Sequence, residues 1–232
     1  MSWRTNSLVL VLRNIGRTLG LNKRIASYLL GQGYETRYDN SFSSALRQGD
    51  CVWDVGANVG YYTRLFSERV GKQGRVFAFE PSPVNFVRLA SACASLGNAT
   101  LLQCGLGKED GKLRFQQGAD DLGATSRIVE DDSEGVVVVD IRSGVSLLDG
   151  GEASVPNAIK IDVEGFEHEV LEGLGEHIKK PDVRLIGIEV HFRILKERGV
   201  PHVPQQIETL LNHHGFSVSW PDPSHIIALR NT

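Results

Sequence analysis

The sequence predicts an α/β fold: a single open, doubly wound, mainly parallel sheet. Three observations carry this reading. Short apolar runs of strand character alternate with segments of helical apolar spacing. A Gly-rich turn, Asp54-Val55-Gly56-Ala57-Asn58-Val59-Gly60, joins the first such strand to the first such helix. Four strands end on an acid: Asp54, Glu80, Asp162 and Glu189. In an open α/β sheet the ligand lies beyond the carboxyl ends of the strands, so four acids at four strand ends ring one site.

The elements follow in chain order. Residues 51–53 form the first strand and 61–70 the helix after the turn. A second strand covers 75–80. Ser82 then caps a helix whose first residue is Pro83, because a hydroxyl can take a free N–H there and proline has none to satisfy. That helix runs through Phe86, Leu89, Ala90 and Cys93, and Gly97 closes it. A third strand covers 100–104. Segments 112–117 and 136–141 also have strand character and flank the polar, acidic stretch 118–135, so an antiparallel insertion with a loop carrying Asp120, Asp121, Ser126 and Arg127 is expected. Loops of that length are often lids over a site. A fourth core strand covers 158–162, a helix passes through Val170 and Leu171, and a fifth strand covers 184–191. A helix near 204–214 and two strands, 216–220 and 225–229, close the chain as an antiparallel hairpin at the sheet edge.

The apolar run at 7–12 stops at Arg13, too short to cross a membrane and without a small-residue cleavage site behind it. It reads as an amphipathic helix over about 7–30 that buries its face on the domain or on a second copy of the chain. The expected organisation is a helical N-terminal segment, 1–45, and one domain, 46–232. A hydrophobic content of 41% supports a core, and a net charge of −3 leaves no footprint for nucleic acid. Cys51, Cys93 and Cys104 are odd in number and lack C-x-x-C spacing, which suits buried thiols in a reducing, cytoplasmic setting.

The turn separates two cofactor classes. A dinucleotide loop is G-x-G-x-x-G and cradles a pyrophosphate. Here the pattern is D-x-G-x-N-x-G, with an acid at the strand end that suits a cationic ligand, such as a sulfonium bearing an α-amino group. Glu80, 26 residues after Asp54, can accept both hydroxyls of a ribose, as the corresponding acid does in dinucleotide folds.

Four segments in this order resemble the FkbM family of S-adenosylmethionine-dependent methyltransferases. They are the loop from Asp54 to Thr63, Phe79-Glu80-Pro81-Ser82-Pro83, the run from Lys160 through Asp162, Glu164 and Gly165 to Glu167, and Ile188-Glu189-Val190-His191. The resemblance spans about 50–192. It implies a class I methyltransferase (Rossmann-like) fold with seven strands in the order 3-2-1-4-5-7-6, the seventh antiparallel. It also implies S-adenosyl-L-methionine as cofactor and O-methylation of a sugar or natural-product hydroxyl. Asp54, Gly56, Asn58 and Gly60 are then expected at the methionine end, with Tyr61 and Thr63 near its carboxylate. Glu80 is expected on the ribose, Pro81 and Ser82 along the ribose or adenine wall, and Cys104 and Gly105 beside the adenine.

A hydroxyl is a poor nucleophile unless its proton is removed. Asp162, Glu164, Glu189 and His191 are the candidate bases, His191 for its ordinary pKa near neutrality. Asp162 has a second candidate role, on the cofactor's amino group. The same four side chains make an O/N set able to take a hard divalent cation, but no spacing demands one and the resemblance does not require it. Two other readings stand beside the leading one: a nicotinamide-dependent oxidoreductase and a non-catalytic cofactor-binding module. The expected partner is a small-molecule or glycan acceptor.

Overall fold

The structure is a computed structural model that describes residues 36–116, 127–128 and 136–231. The expected helix over 7–30 lies outside the described residues, and so does the 118–135 loop apart from Arg127 and Ile128. The described elements are α1 (Thr36–Ala45), β1 (Cys51–Val55), α2 (Tyr61–Val70), β2 (Arg75–Phe79), α3 (Pro83–Cys93), β3 (Ala99–Leu102), β4 (Gly105–Gly107), β5 (Gly111–Gln116), β6 (Arg127–Ile128), β7 (Val136–Ser143), α4 (Gly144–Asp149), β8 (Ala158–Ile161), α5 (Glu167–Gly173), β9 (Leu185–Glu189), α6 (Phe192–Glu197), α7 (Val203–His213), β10 (Phe216–Asp222) and β11 (His225–Arg230). A short 3₁₀ turn, Gly175–Lys179, follows α5. No helix among the described residues is long and apolar enough to cross a membrane.

The main sheet has seven strands in the order β10-β11-β9-β8-β1-β2-β3. Numbered within that sheet, this is 3-2-1-4-5-7-6, as expected. β11 runs antiparallel to both β9 and β10, whereas β1, β2, β3, β8 and β9 are parallel. Strands covered on both faces read as continuous apolar runs, and every residue of β8 and β9 is buried.

Alternation along β1 divides the core between the two faces. Trp53 and Val55 join Phe79, Ile159, Ile161, Val170, Leu171 and Ile207 on one side. Val52 joins Tyr38, Phe42, Tyr62, Phe66 and Val76 on the other. Helix α1 belongs to this second layer, its Tyr38 and Phe42 seated over β9. Gly187 makes room for them, since a Cβ there would meet the Phe42 ring and the Tyr38 hydroxyl.

The insertion is larger than a hairpin. β5 and β7 pair antiparallel as expected, but β4 pairs parallel to β7 and the second sheet has the order β4-β7-β5-β6. The third core strand therefore ends at Leu102, and the chain has left the main sheet by Cys104. A glycine-bounded strand of three residues is too short to show a period, which hid β4 in the sequence. Its glycines admit close neighbours: side chains at Gly105 and Gly107 would crowd Ile141, and one at Gly173 of α5 would strike the Gly107 carbonyl. Ser82 caps α3 as expected, accepting from Asn85 N at 3.4 Å with Pro83 opening the helix. The helix ends at Cys93 with Ala94 still right-handed, so Gly97 lies past the cap rather than in it.

Candidate active site

The loop after β1 turns three times through left-handed backbone, at Gly56 (φ 80°), Asn58 (φ 51°) and Gly60 (φ 88°). Sequence reasoning assigned these glycines to close approach of a ligand; the structure gives a packing reason. A Cβ at Gly56 would collide with the Asp162 carbonyl, because this loop lies directly on the end of β8. One at Gly60 would lie 2.9 Å from both Cys93 Sγ and Leu89 Cδ1, so Gly60 lets α2 dock on α3. The amides of Gly56 and Ala57 both donate to Phe79 O, each at 3.0 Å, tying the loop to the end of β2.

Glu80 stands just past β2 and is 5% exposed. Asn58 N donates to its Oε2 at 2.8 Å and Ser82 N to its Oε1 at 2.9 Å. The carboxylate thus bridges the two loops expected at the cofactor. Burial pushes its pKa up to about 7, against the lowering effect of those two amides. Pro81 sits beside Gly105, whose Cβ would lie 3.6 Å from Pro81 Cβ, so the end of β2 and the start of β4 share one wall. Cys104 is buried in the core, and burial lifts its thiol to about 11 and that of Cys51 to about 12. Neither is a thiolate at neutral pH, as expected of packed cysteines.

Asp54 exposes no surface. Its Oδ2 accepts from Thr63 Oγ1 at 2.6 Å, and its Oδ1 lies 3.5 Å from Lys160 Nζ. Lys160 also lies 3.4 Å from Asp162 Oδ2 and donates to Gly56 O at 3.3 Å. A buried lysine thus ties the first strand end to the fourth. Its ammonium stands 4.9 Å from the centre of the Tyr62 ring, in cation–π range. Tyr61, by contrast, is 53% exposed at the mouth of the loop, edge-on to Tyr62.

His191, just past β9 and 1% exposed, is the hub of the other half of the site. Its Nδ1 lies 2.6 Å from Oε1 of the fully buried Glu167. The same Glu167 oxygen accepts from Gly165 N at 2.8 Å. The opposite ring nitrogen, Nε2, lies 3.4 Å from Glu164 Oε2, 3.5 Å from Asp162 Oδ1 and 3.9 Å from Glu189 Oε1. Burial alone would lower the His191 pKa, but Glu164, Glu167 and Glu189 outweigh it and raise it to about 9. The ordinary value assumed from sequence does not hold: in the ligand-free protein the ring carries a proton at neutral pH. Glu164 itself adopts φ 53°, a left-handed conformation that an L-residue holds only under tertiary constraint.

A second histidine reaches the same acids from the sheet edge. His225 Nε2 is 3.7 Å from Glu189 Oε2, and its Nδ1 is 2.8 Å from Asp222 Oδ1. Tyr38 of α1 stacks on this ring at 4.4 Å. Glu189 therefore lies between two imidazoles, and α1 helps to close the site from one side.

A strand end carrying Asp54, the buried carboxylate of Glu80 and a carboxylate–imidazole cluster all meet at the carboxyl edge of one parallel sheet. A family model described as the methyltransferase FkbM domain matches residues 54–218, from Asp54 into the strand after α7. The chain belongs to the FkbM methyltransferase family. Among its relatives, the hexuronic acid methyltransferase AglP of Haloferax volcanii is 32% identical over 145 residues, covering 62% of this chain and 57% of that protein. The 31-O-demethyl-FK506 methyltransferase FkbM of Streptomyces tacrolimicus is 28% identical over 204 residues, 75% of each chain. The chain thus spans little more than half the length of AglP. A crystal structure of a candidate rRNA methylase from Clostridium thermocellum superposes with a TM-score of 0.52 at 13% identity, over 84% of this chain and 93% of that one, a likeness of fold.

Within this FkbM-family chain the structure brings together most of the site residues read from sequence and adds four that sequence reasoning left without a role: Lys160, Glu167, Asp222 and His225. Lys160 had a signal, a charged residue inside the otherwise apolar run Ala158-Ile159-Lys160-Ile161. Glu167 had a weaker one, an acid two residues past a glycine turn at a helix start. Asp222 and His225 had none, because only the pairing of β11 with β9 carries them to Glu189.

Proposed function

We propose that this protein transfers the methyl group of S-adenosyl-L-methionine to an oxygen of a sugar or natural-product acceptor. The observation that carries the reading is one sheet edge holding two linked half-sites. Glu80, with its loop amides, is one; the Asp162, Glu164, Glu189 and His191 cluster is the other; Lys160 joins them through Asp54 and Asp162. The donor set fits the cofactor, since Glu80 has acceptor capacity for ribose hydroxyls and the acids favour a cationic ligand. Bound there, S-adenosyl-L-methionine supplies an electrophilic methyl carbon and a thioether leaving group. The chain's own contribution is to hold the acceptor oxygen in line with that carbon and to take up its proton in the carboxylate–imidazole cluster. Glu164 is the outermost member of that cluster, its side chain 32% exposed against 15% for Asp162 and 9% for Glu189.

The names of AglP and FkbM suggest the acceptor class: a hexuronic acid for one, 31-O-demethyl-FK506 for the other. Calorimetric titration with S-adenosyl-L-homocysteine, with NAD as control, tests the cofactor: micromolar binding that disappears in Glu80→Ala supports the reading, and selective binding of NAD sinks it. Incubation with methyl-¹³C cofactor and a panel of uronic acids and polyketide alcohols tests the transfer. An O-methyl carbon signal in the product is expected. Tight cofactor binding with no turnover on any acceptor would instead mark a non-catalytic module.

A further inference from the structure

We propose that Asp162, Glu164 and His191 form a binding site for one divalent cation, with Mn²⁺ as the representative ion. Three features converge on this.

The first is the geometry of the donors. One ligand atom from each residue lies within 4.8 Å of the other two, and His191 Nε2 stands 3.4 and 3.5 Å from its neighbours' oxygens. Cis ligands on an octahedral ion with bonds of about 2.1 Å sit about 3 Å apart, so each of the two His191–carboxylate distances needs to shorten by about half an ångström.

The second is the support behind the imidazole. Glu167 holds Nδ1 at 2.6 Å, which sets the ring so that Nε2 points into the group of acids. A metal-bound histidine characteristically gives its other N–H to a carboxylate, which fixes its tautomer and raises its basicity. Glu167 is fully buried and its Oε2 makes no hydrogen bond among the described residues, so the carboxylate is committed to His191 and the Gly165 amide. Arg198 grips the Gly165 carbonyl and pairs with Glu169 at 2.7 Å, pinning the turn that carries Glu164.

The third is rigidity. Asp162 follows β8 directly and His191 follows β9, adjacent parallel strands in fixed register. Glu164 is reached through two consecutive left-handed residues, itself at φ 53° and Gly165 at φ 94°. A backbone held in this way orients a carboxylate with little freedom to turn aside.

Two carboxylates and one imidazole are a hard-to-borderline donor set, suited to Mn²⁺ and neighbouring first-row ions more than to Ca²⁺. Glu164, its side chain 32% exposed, leaves coordination positions facing solvent. The role of the ion rests on the methyl-transfer reading: two adjacent acceptor oxygens, such as a vicinal diol or the hydroxyl and carboxylate of a uronic acid, would take two of the three remaining positions, and the metal would lower the pKa of the bound hydroxyl.

The test separates the two readings. The full chain, stripped with a chelator, is titrated with Mn²⁺ at pH 8 while the electron paramagnetic resonance signal of free Mn²⁺ is followed. One ion per chain at micromolar affinity is expected. Glu164→Gln, at a half-exposed position, should weaken it at least tenfold without loss of fold. Glu167→Gln, a positioning change, should weaken it by about 10- to 100-fold. Glu80→Ala should leave Mn²⁺ affinity unchanged while losing S-adenosyl-L-homocysteine. Absence of Mn²⁺ binding at millimolar concentration, or binding indifferent to both Glu164→Gln and Glu167→Gln, overturns the cation site and leaves the methyl-transfer reading standing.

Discussion

Asp54 and Lys160 face each other across β1 and β8 as Cα partners, with Oδ1 and Nζ 3.5 Å apart and the two side chains 0% and 4% exposed. Side chains two residues apart share a face of a strand, so the same register brings Asp162 within 3.4 Å of the lysine. Breaking a buried ion pair leaves a charge without compensation and costs about 3–5 kcal/mol. Lys160→Met and Asp54→Asn should each lower unfolding free energy by about 3 kcal/mol in urea titrations. The double variant should lose clearly less than the sum. Additivity within about 0.5 kcal/mol would show that the two groups are not coupled.

Two left-handed glycines should respond very differently to a methyl group. Gly49 (φ 86°) has no atom within 4 Å of a built Cβ, whereas Gly56 (φ 80°) has the Asp162 carbonyl in the way. Gly49→Ala should cost about 1 kcal/mol, the strain of the left-handed region alone. Gly56→Ala must also push the β1 loop off β8, and should cost several times as much or prevent folding. Melting temperatures of the two variants compared with the parent decide this; equal shifts would refute the close approach.

Glu80 ionises near pH 7 because burial holds it above the ordinary carboxylate range. On the proposed cofactor reading its ionised form accepts the ribose hydroxyls, so binding draws on that form. Cofactor affinity should therefore fall by about tenfold between pH 8 and pH 6, as the ionised fraction drops. The same shift means that the ligand-free fold loses stability as pH rises from the ordinary carboxylate range to about 7, where only the unfolded chain ionises freely. Calorimetry at the two pH values checks the affinity, and Glu80→Gln should bind weakly with no pH slope. A slope that survives in Glu80→Gln belongs to another group.

His225 carries the opposite sign. Burial would lower its pKa, but Asp222 and Glu189 raise it to about 9, above the ordinary 6.5. The folded state holds the proton more tightly than the unfolded one. The resulting stabilisation, on the order of 2 kcal/mol, is fully present below about pH 6.5 and is lost as pH climbs through 9. Melting temperature should drop between pH 7 and pH 9.5, and His225→Gln should start lower and show a flatter profile. An unchanged slope in the variant would refute the assignment.

Much of the molecule was legible before folding. The D-x-G-x-N-x-G turn between a strand and a helix, the acids at 54, 80, 162 and 189, and Ser82-Pro83 at a helix start are local patterns. Each depends on neighbours within a few residues, so the chain carries them openly. The strand order followed from the family resemblance, and only the closing antiparallel hairpin from the elements themselves. β4 escaped because three residues bounded by glycine have no measurable period, and Glu80 gave no local sign that its carboxylate would be walled in.

What the sequence by itself determined is the alternation of strands and helices and the side of the sheet on which the acids gather. Periodicity and turn chemistry are properties of contiguous residues. Only the tertiary structure decided which charges meet. Lys160 reaches Asp54 through the register of β1 with β8, His225 reaches Glu189 through the antiparallel pairing of β11 with β9, and Glu167 locks His191 across 24 residues of chain. These contacts, and the pKa values they set, depend on register and burial, and no local stretch of sequence contains either.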